Sequence, residues 1–255
     1  MSLLFWVLAV LPGIVMMGLA RYFDKRDKEP IGLLALLFVL GAGACIPAVI
    51  VEVIGENWLL NSELNEVVIA LIVNFLIVGL SEEFFKYLAM KLPTWKNKAF
   101  NYRFDGIVYG VYAAMGFATL ENIFYLMDMD IRTALIRAVV TVPSHAVYGV
   151  FMGIFYSRAK GCSNAGNKSG AFINKMIALW LPVVLHGFFD FCLTIGDMVF
   201  VFIWIVFVII LFYITYCKLV ESSKSDELIE VENVEQPVYG KEDNWFPNEK
   251  SEGRF

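Results

Sequence analysis

Seven stretches of this chain are each apolar over about the length that crosses a bilayer, roughly 20 residues. No other feature limits its fold as much. They run Leu3–Ala20, Ile31–Ile54, Val67–Met90, Phe104–Met127, Ile131–Tyr156, Ala171–Ile195 and Met198–Leu219. In lipid every backbone polar group needs an internal partner, which leaves helices or closed barrels. Barrel strands alternate apolar and polar residues; these runs are continuously apolar. The predicted fold class is therefore all-α, a polytopic transmembrane helix bundle of about seven spans.

Charge is confined to the segments between the runs, and its distribution predicts orientation. The first, third and fifth loops (RYFDKRDKEP, KLPTWKNKAFNYR, SRAKGCSNAGNKSG) are basic. The second, GENWLLNSELNE, has no Lys or Arg; the fourth, DMDIR, is mostly acidic; the sixth is the short turn at Gly196 and Asp197. This alternation places the N-terminus outside and the C-terminus in the cytoplasm. The first run has no basic residue before it, so it reads as a retained span rather than a cleaved signal. Two units are expected: residues 1–220 as the membrane-embedded domain, and residues 221–255 as an acidic, disordered cytoplasmic tail. The net charge of -5 comes mostly from that tail. No basic stripe for nucleic acid is present, and Cys45, Cys162, Cys192 and Cys217 form no CxxC pair.

The two histidines, His145 and His186, both lie inside apolar runs, as do Glu82, Glu83 and Glu121. Each ionisable group at that depth costs roughly 2.5–3.5 kcal/mol even on the lenient insertion scale. Five of them require one another or water. In SEEFFKYL, Lys86 lies four residues after Glu82 and three after Glu83, so either carboxylate can pair with it. One reading is a purely structural ion pair; the other leaves a glutamate to activate water. In GFATLENIFY, Phe117 and Glu121 share a helix face, with Asn122 beside them; interhelical hydrogen bonding is the structural alternative. In VPSHAVYG, Pro143 removes a backbone donor just before His145 and opens the helix. In LHGFFDFCL, His186 and Asp190 stand at i and i+4, so the carboxylate can orient the imidazole. Four successive spans supply these groups, which points to one shared site.

The ordered set EExxK (Glu82, Glu83, Lys86), FxxxE (Phe117, Glu121), a lone His (His145) and HxxxD (His186, Asp190) resembles the PrsW family of bacterial intramembrane proteases. The loop carrying Asp24, Glu29 and Pro30 is also similar to that family's first cytoplasmic loop. More distantly, the set is similar to the CAAX-processing proteases. The resemblance implies a membrane peptidase of the bacterial cell membrane. Its implied activity is the first (site-1) cut in a single-pass anti-sigma factor, at the extracytoplasmic side, which opens a cascade whose later cuts release a stress-response sigma factor. It implies Glu82, Glu83, His186, His145 and Glu121 as catalytic candidates, with Lys86, Phe117, Asn122 and Asp190 supporting them.

Two mechanisms fit those residues. In one, zinc is held by His145, His186 and a carboxylate, Glu121 being the candidate, with an open position for water. In the other, a glutamate takes the proton from water directly and the histidines hold the oxyanion. No HExxH motif is present. The rival to both is a non-catalytic scaffold or a proton-coupled carrier, although the paired repeats of carriers are not visible. Straight helices rising 1.5 Å per residue would put Glu82 and Glu121 at different depths. A tilt or break near Gly79, Gly110, Gly116 or Pro143 is needed to bring them together; otherwise Glu121 is structural.

Overall fold

Each apolar run becomes a helix, and every helix except Asp105–Tyr125 continues past its apolar stretch. The computed structural model describes residues 3–60, 62–125 and 130–229. The helices are α1 (Leu3–Phe23), α2 (Ile31–Leu59), α3 (Glu66–Thr94), α4 (Asp105–Tyr125), α5 (Ile131–Asn164), α6 (Lys168–Ile195) and α7 (Met198–Lys224). All seven are long and apolar enough to span a membrane. Among the described residues there is no strand, only one isolated antiparallel bridge between Tyr102 and Leu228.

Polar turns set the starts of three helices at one end of the bundle. Asn65 accepts from the Val67 amide, Asp130 from Thr133, and Asp197 from Val199 and Phe200. Such side chains satisfy the first free amides of a helix. Gly196 closes α6 in the left-handed region, at φ 67, which glycine adopts without penalty.

The hub is α4. Of its most apolar stretch 72% is buried, against 17% for α1 and for α7, whose faces are left for lipid. Small residues let the hub's neighbours approach backbone to backbone. Gly106 lies against Gly153 and Gly110 against Gly149, which joins α4 to α5 along two turns. Gly41 of α2 sits on Ala113, and Gly116 on Phe38.

Two helices depart from α geometry. Ile72–Gly79 in α3 and Arg137–Thr141 in α5 are π-helical, and the second ends just before Pro143. A π segment closes i→i+5 bonds and is commonly found at functional sites. The two segments lie where breaks were expected: Gly79 ends the first, and the second ends two residues before Pro143.

The first residues of the expected tail, up to Ile229, are held against the bundle. Helix α7 runs on to Lys224. Beyond it, Asp226 Oδ1 accepts from the Phe104 amide at 2.9 Å. The Ile229 amide donates to Asn101 at 2.7 Å and Arg103 to Glu227 at 3.0 Å. Ile229 is buried in the main core. These three residues find partners at the third loop, and burial of Ile229 offsets their ordering. The rest of the tail, residues 230–255, and the start of the acidic fourth loop at Asp128 lie outside the described residues.

Candidate active site

One acidic pair on α3 anchors the site. The Lys86 ammonium donates to Glu82 Oε2 at 2.8 Å and to Glu83 Oε1 at 2.9 Å. It also lies 3.0 Å from His145 Nδ1 and 4.1 Å above the Phe117 ring. An ammonium only donates, so Nδ1 accepts and the ring proton of His145 sits on Nε2. That nitrogen faces Glu121 Oε2 at 3.1 Å, within ion-pair distance but poorly aligned for a hydrogen bond. Both structural alternatives weighed for the motifs are thus present as pairs, and neither uses up the acidic groups.

His186 has a carboxylate at each ring nitrogen. Nδ1 is 2.9 Å from Glu83 Oε1, and Nε2 is 3.0 Å from Asp190 Oδ2. The ring stacks on Tyr148, centroids 5.0 Å apart, and stands edge-on to His145 at 5.2 Å. Glu82, Glu83, His145 and His186 are all buried, and one donor atom from each lies within 4.8 Å of the others. Glu121 stays outside that group and reaches it through His145. Its other oxygen takes Arg137 Nη2 at 2.7 Å, while Arg137 Nε donates to Asn122 at 2.7 Å. All nine residues singled out from the sequence therefore fall in one connected network.

A cavity of about 840 Å³ opens beside this network. Glu82, Glu121, His145, His186, Asp190 and Phe117 line it; Glu83 and Lys86 lie behind them. Its outer lining includes the exposed Glu56, Phe124 and Tyr125, at the end of the bundle where the second, fourth and sixth loops lie. The two adjacent glutamates therefore differ. Glu82 borders the cavity, whereas Glu83 is packed inward with Oε2 lacking a hydrogen-bond partner among the described residues.

Sequence reasoning missed two cavity residues. Arg137 was not considered, although it too lies within an apolar run. Glu52, near the end of the second apolar run, also lines the cavity and accepts from Ser81 at 3.3 Å. The depth argument that found the histidines, applied to every charge in the runs, would have found both.

The donor chemistry of the four grouped residues, two imidazoles and two carboxylates, fits a zinc-type ion. One of the two carboxylates, Glu83, has an oxygen without a partner. The Lys86 nitrogen, however, stands within 3.0 Å of an atom from three of the four.

Comparison with known proteins follows the same outline. Residues 29–215 match the family described as PrsW family intramembrane metalloprotease. The chain is 34% identical to a protease PrsW of Oceanobacillus iheyensis, over 82% of this chain and 93% of that protein. It is 34% identical to one of Clostridioides difficile, over 86% and 91%. Identity to the protease PrsW of Bacillus subtilis is 30%, over 72% and 80%. No solved structure matches. The chain belongs to the PrsW family of intramembrane proteases and is a multi-pass bacterial membrane peptidase.

Proposed function

Taking that membership as premise, we propose that this peptidase cuts a single-pass membrane protein at the cavity, with Glu82 taking the proton from the attacking water. The observation that carries this is the convergence of Glu82, Glu83, His145 and His186 at the wall of an opening between helices. A general base must lie within hydrogen-bond reach of the proton it removes, and of the glutamate pair Glu82 is the one bordering the cavity. Glu83 holds Lys86 and His186 in place from behind. His186 and His145 border the space where an oxyanion would form, and an imidazole N–H that turns there from its carboxylate would stabilise the transition state. Arg137 fixes Glu121, which in turn faces the His145 proton.

When bound, a metal held by Glu83, His145 and His186 would supply a Lewis acid and lower the pKa of its water. Glu121, the carboxylate first considered as a ligand, is engaged by Arg137 and lies outside the close group.

The same reading gives the substrate as an anti-sigma factor and the reaction as the first cut of a stress-response cascade. Loop charge supports an N-terminus on the outside. With that orientation the cavity mouth faces the extracytoplasmic side, where a site-1 cut is made. The scaffold and carrier alternatives need no water-activating group, and the cleavage test separates them from the protease reading.

The test is cleavage of a tagged single-span substrate by purified protein in detergent. Loss of a general base typically costs about 10²–10⁴-fold in rate. Glu82→Gln is expected to fall in that range, and His186→Ala with it, while substrate still co-purifies. Cutting by both variants at the parent rate would end the protease assignment for this cavity.

A further inference from the structure

The Lys86 ammonium occupies the middle of the donor group. It touches Glu82 Oε2, Glu83 Oε1 and His145 Nδ1 at 2.8, 2.9 and 3.0 Å. These atoms belong to three of the four residues whose donors lie within 4.8 Å of one another. The Nδ1 lone pair of His145, which a metal would need, points at Lys86 instead. Lys86 is 1% exposed and sits over the Phe117 ring, so aromatic and anionic groups both hold it there. A divalent cation in the same place would bring two like charges together in a setting with little water to screen them.

We propose that Lys86 and a divalent transition metal are alternative occupants of one site, so that Lys86 limits how much metal this site holds. The side chain is the chain's own counter-cation for Glu82 and Glu83. Metal can enter only as the ammonium withdraws from the carboxylates. The proposal rests on the reading of these residues as the active site only in its consequence for proteolysis; the competition itself is a matter of binding.

The experiment measures Co²⁺ in purified protein, by visible absorption during titration and by metal content after dialysis. Lys86→Met keeps the length of the side chain and removes the charge. It is expected to bind one Co²⁺ more tightly than the parent by roughly a hundredfold, because two buried carboxylates are left without a counter-charge. Lys86→Arg keeps a cation and is expected to gain nothing. A Met variant that folds, by circular dichroism and gel filtration, and binds no more Co²⁺ than the parent overturns the proposal. So does an Arg variant that gains as much as Met. If Lys86→Met does not fold, the parent decides alone. One equivalent of Co²⁺ retained by the parent through dialysis refutes competition; an ion that binds during titration and is lost on dialysis supports it, and no binding at either stage overturns it. Failure of the protease reading looks different: no cleavage by the parent, whatever the cobalt result.

Discussion

His186 reads two carboxylates at once, and the two do different work. Glu83 is fully buried and shared with Lys86, whereas Asp190 sits at the cavity edge with 28% of its side chain exposed. Carboxylates that orient a functional imidazole typically contribute about 10–100-fold. Asp190→Asn keeps the shape and removes the charge. It is expected to lower kcat of substrate cleavage by about that factor and leave KM nearly unchanged. A change confined to KM would mean that Asp190 binds substrate instead. At this scale much of the site was legible. A charge in an apolar run has few ways to survive, so the glutamates, the histidines and their i, i+4 partners identify themselves. Pairing across helices was not legible: no spacing along the chain announces that Lys86 meets His145, or that Arg137 meets Glu121.

Elements supply the register that brings those pairs together. Helix α4 approaches α5 through Gly106, Gly110, Gly149 and Gly153, and a methyl group at Gly149 would stand 2.6 Å from the Gly110 carbonyl oxygen. That neighbour is backbone and cannot swing aside. Overpacking of this kind costs about 1–3 kcal/mol. Gly149→Ala is expected to lower the melting temperature in detergent. Because His145 lies one turn away on the same helix, cleavage should fall further than stability alone explains. Unchanged melting would show that α4 and α5 have room to separate. The spans themselves were readable from hydropathy; their π segments were not, because apolar periodicity is the same on either side of them. Yet the π segments reconcile the depths of Glu82 and Glu121. A wider i→i+5 ladder advances less per residue than an α-helix, so Ile72–Gly79 holds Glu82 back toward the bundle end where Glu121 lies.

Across the whole molecule, a second buried acidic region sits at the end of the bundle opposite the cavity mouth, where the first loop, the third loop and the residues after α7 meet. Asp24 and Glu29 are both buried there. Tyr109 donates to Glu29 at 2.6 Å, and Asp226 faces Asp24. The cations nearby serve backbone groups: Lys28 binds the carbonyls of Arg21 and Asp24, and Arg21 that of Glu29. Neither Asp24 oxygen has a hydrogen-bond partner among the described residues. Burial therefore outweighs Lys28 and pushes Asp24 up to about 6. Burial likewise pushes Glu29 up to about 7, against the hydrogen bond from Tyr109. The sign follows from linkage. Raised carboxyl groups favour the fold in their neutral form. Their stabilisation is complete below the ordinary carboxylate range and is lost as pH rises through about 6 and then about 7. The melting temperature of the parent in detergent is expected to decline from about pH 4 to about pH 7, the interval between the ordinary and raised values of those two groups. Asp24→Asn, which cannot ionise, should flatten the first part of that decline and Glu29→Gln the second. A pH profile identical in the parent and in both variants would show that these carboxyl groups titrate as freely in the fold as in the unfolded chain. The sequence made the first loop conspicuous by its charge alone. Its burial depends on the docking of Asp226 and Ile229, more than a hundred residues away from the third loop that receives them, and no local pattern encodes that.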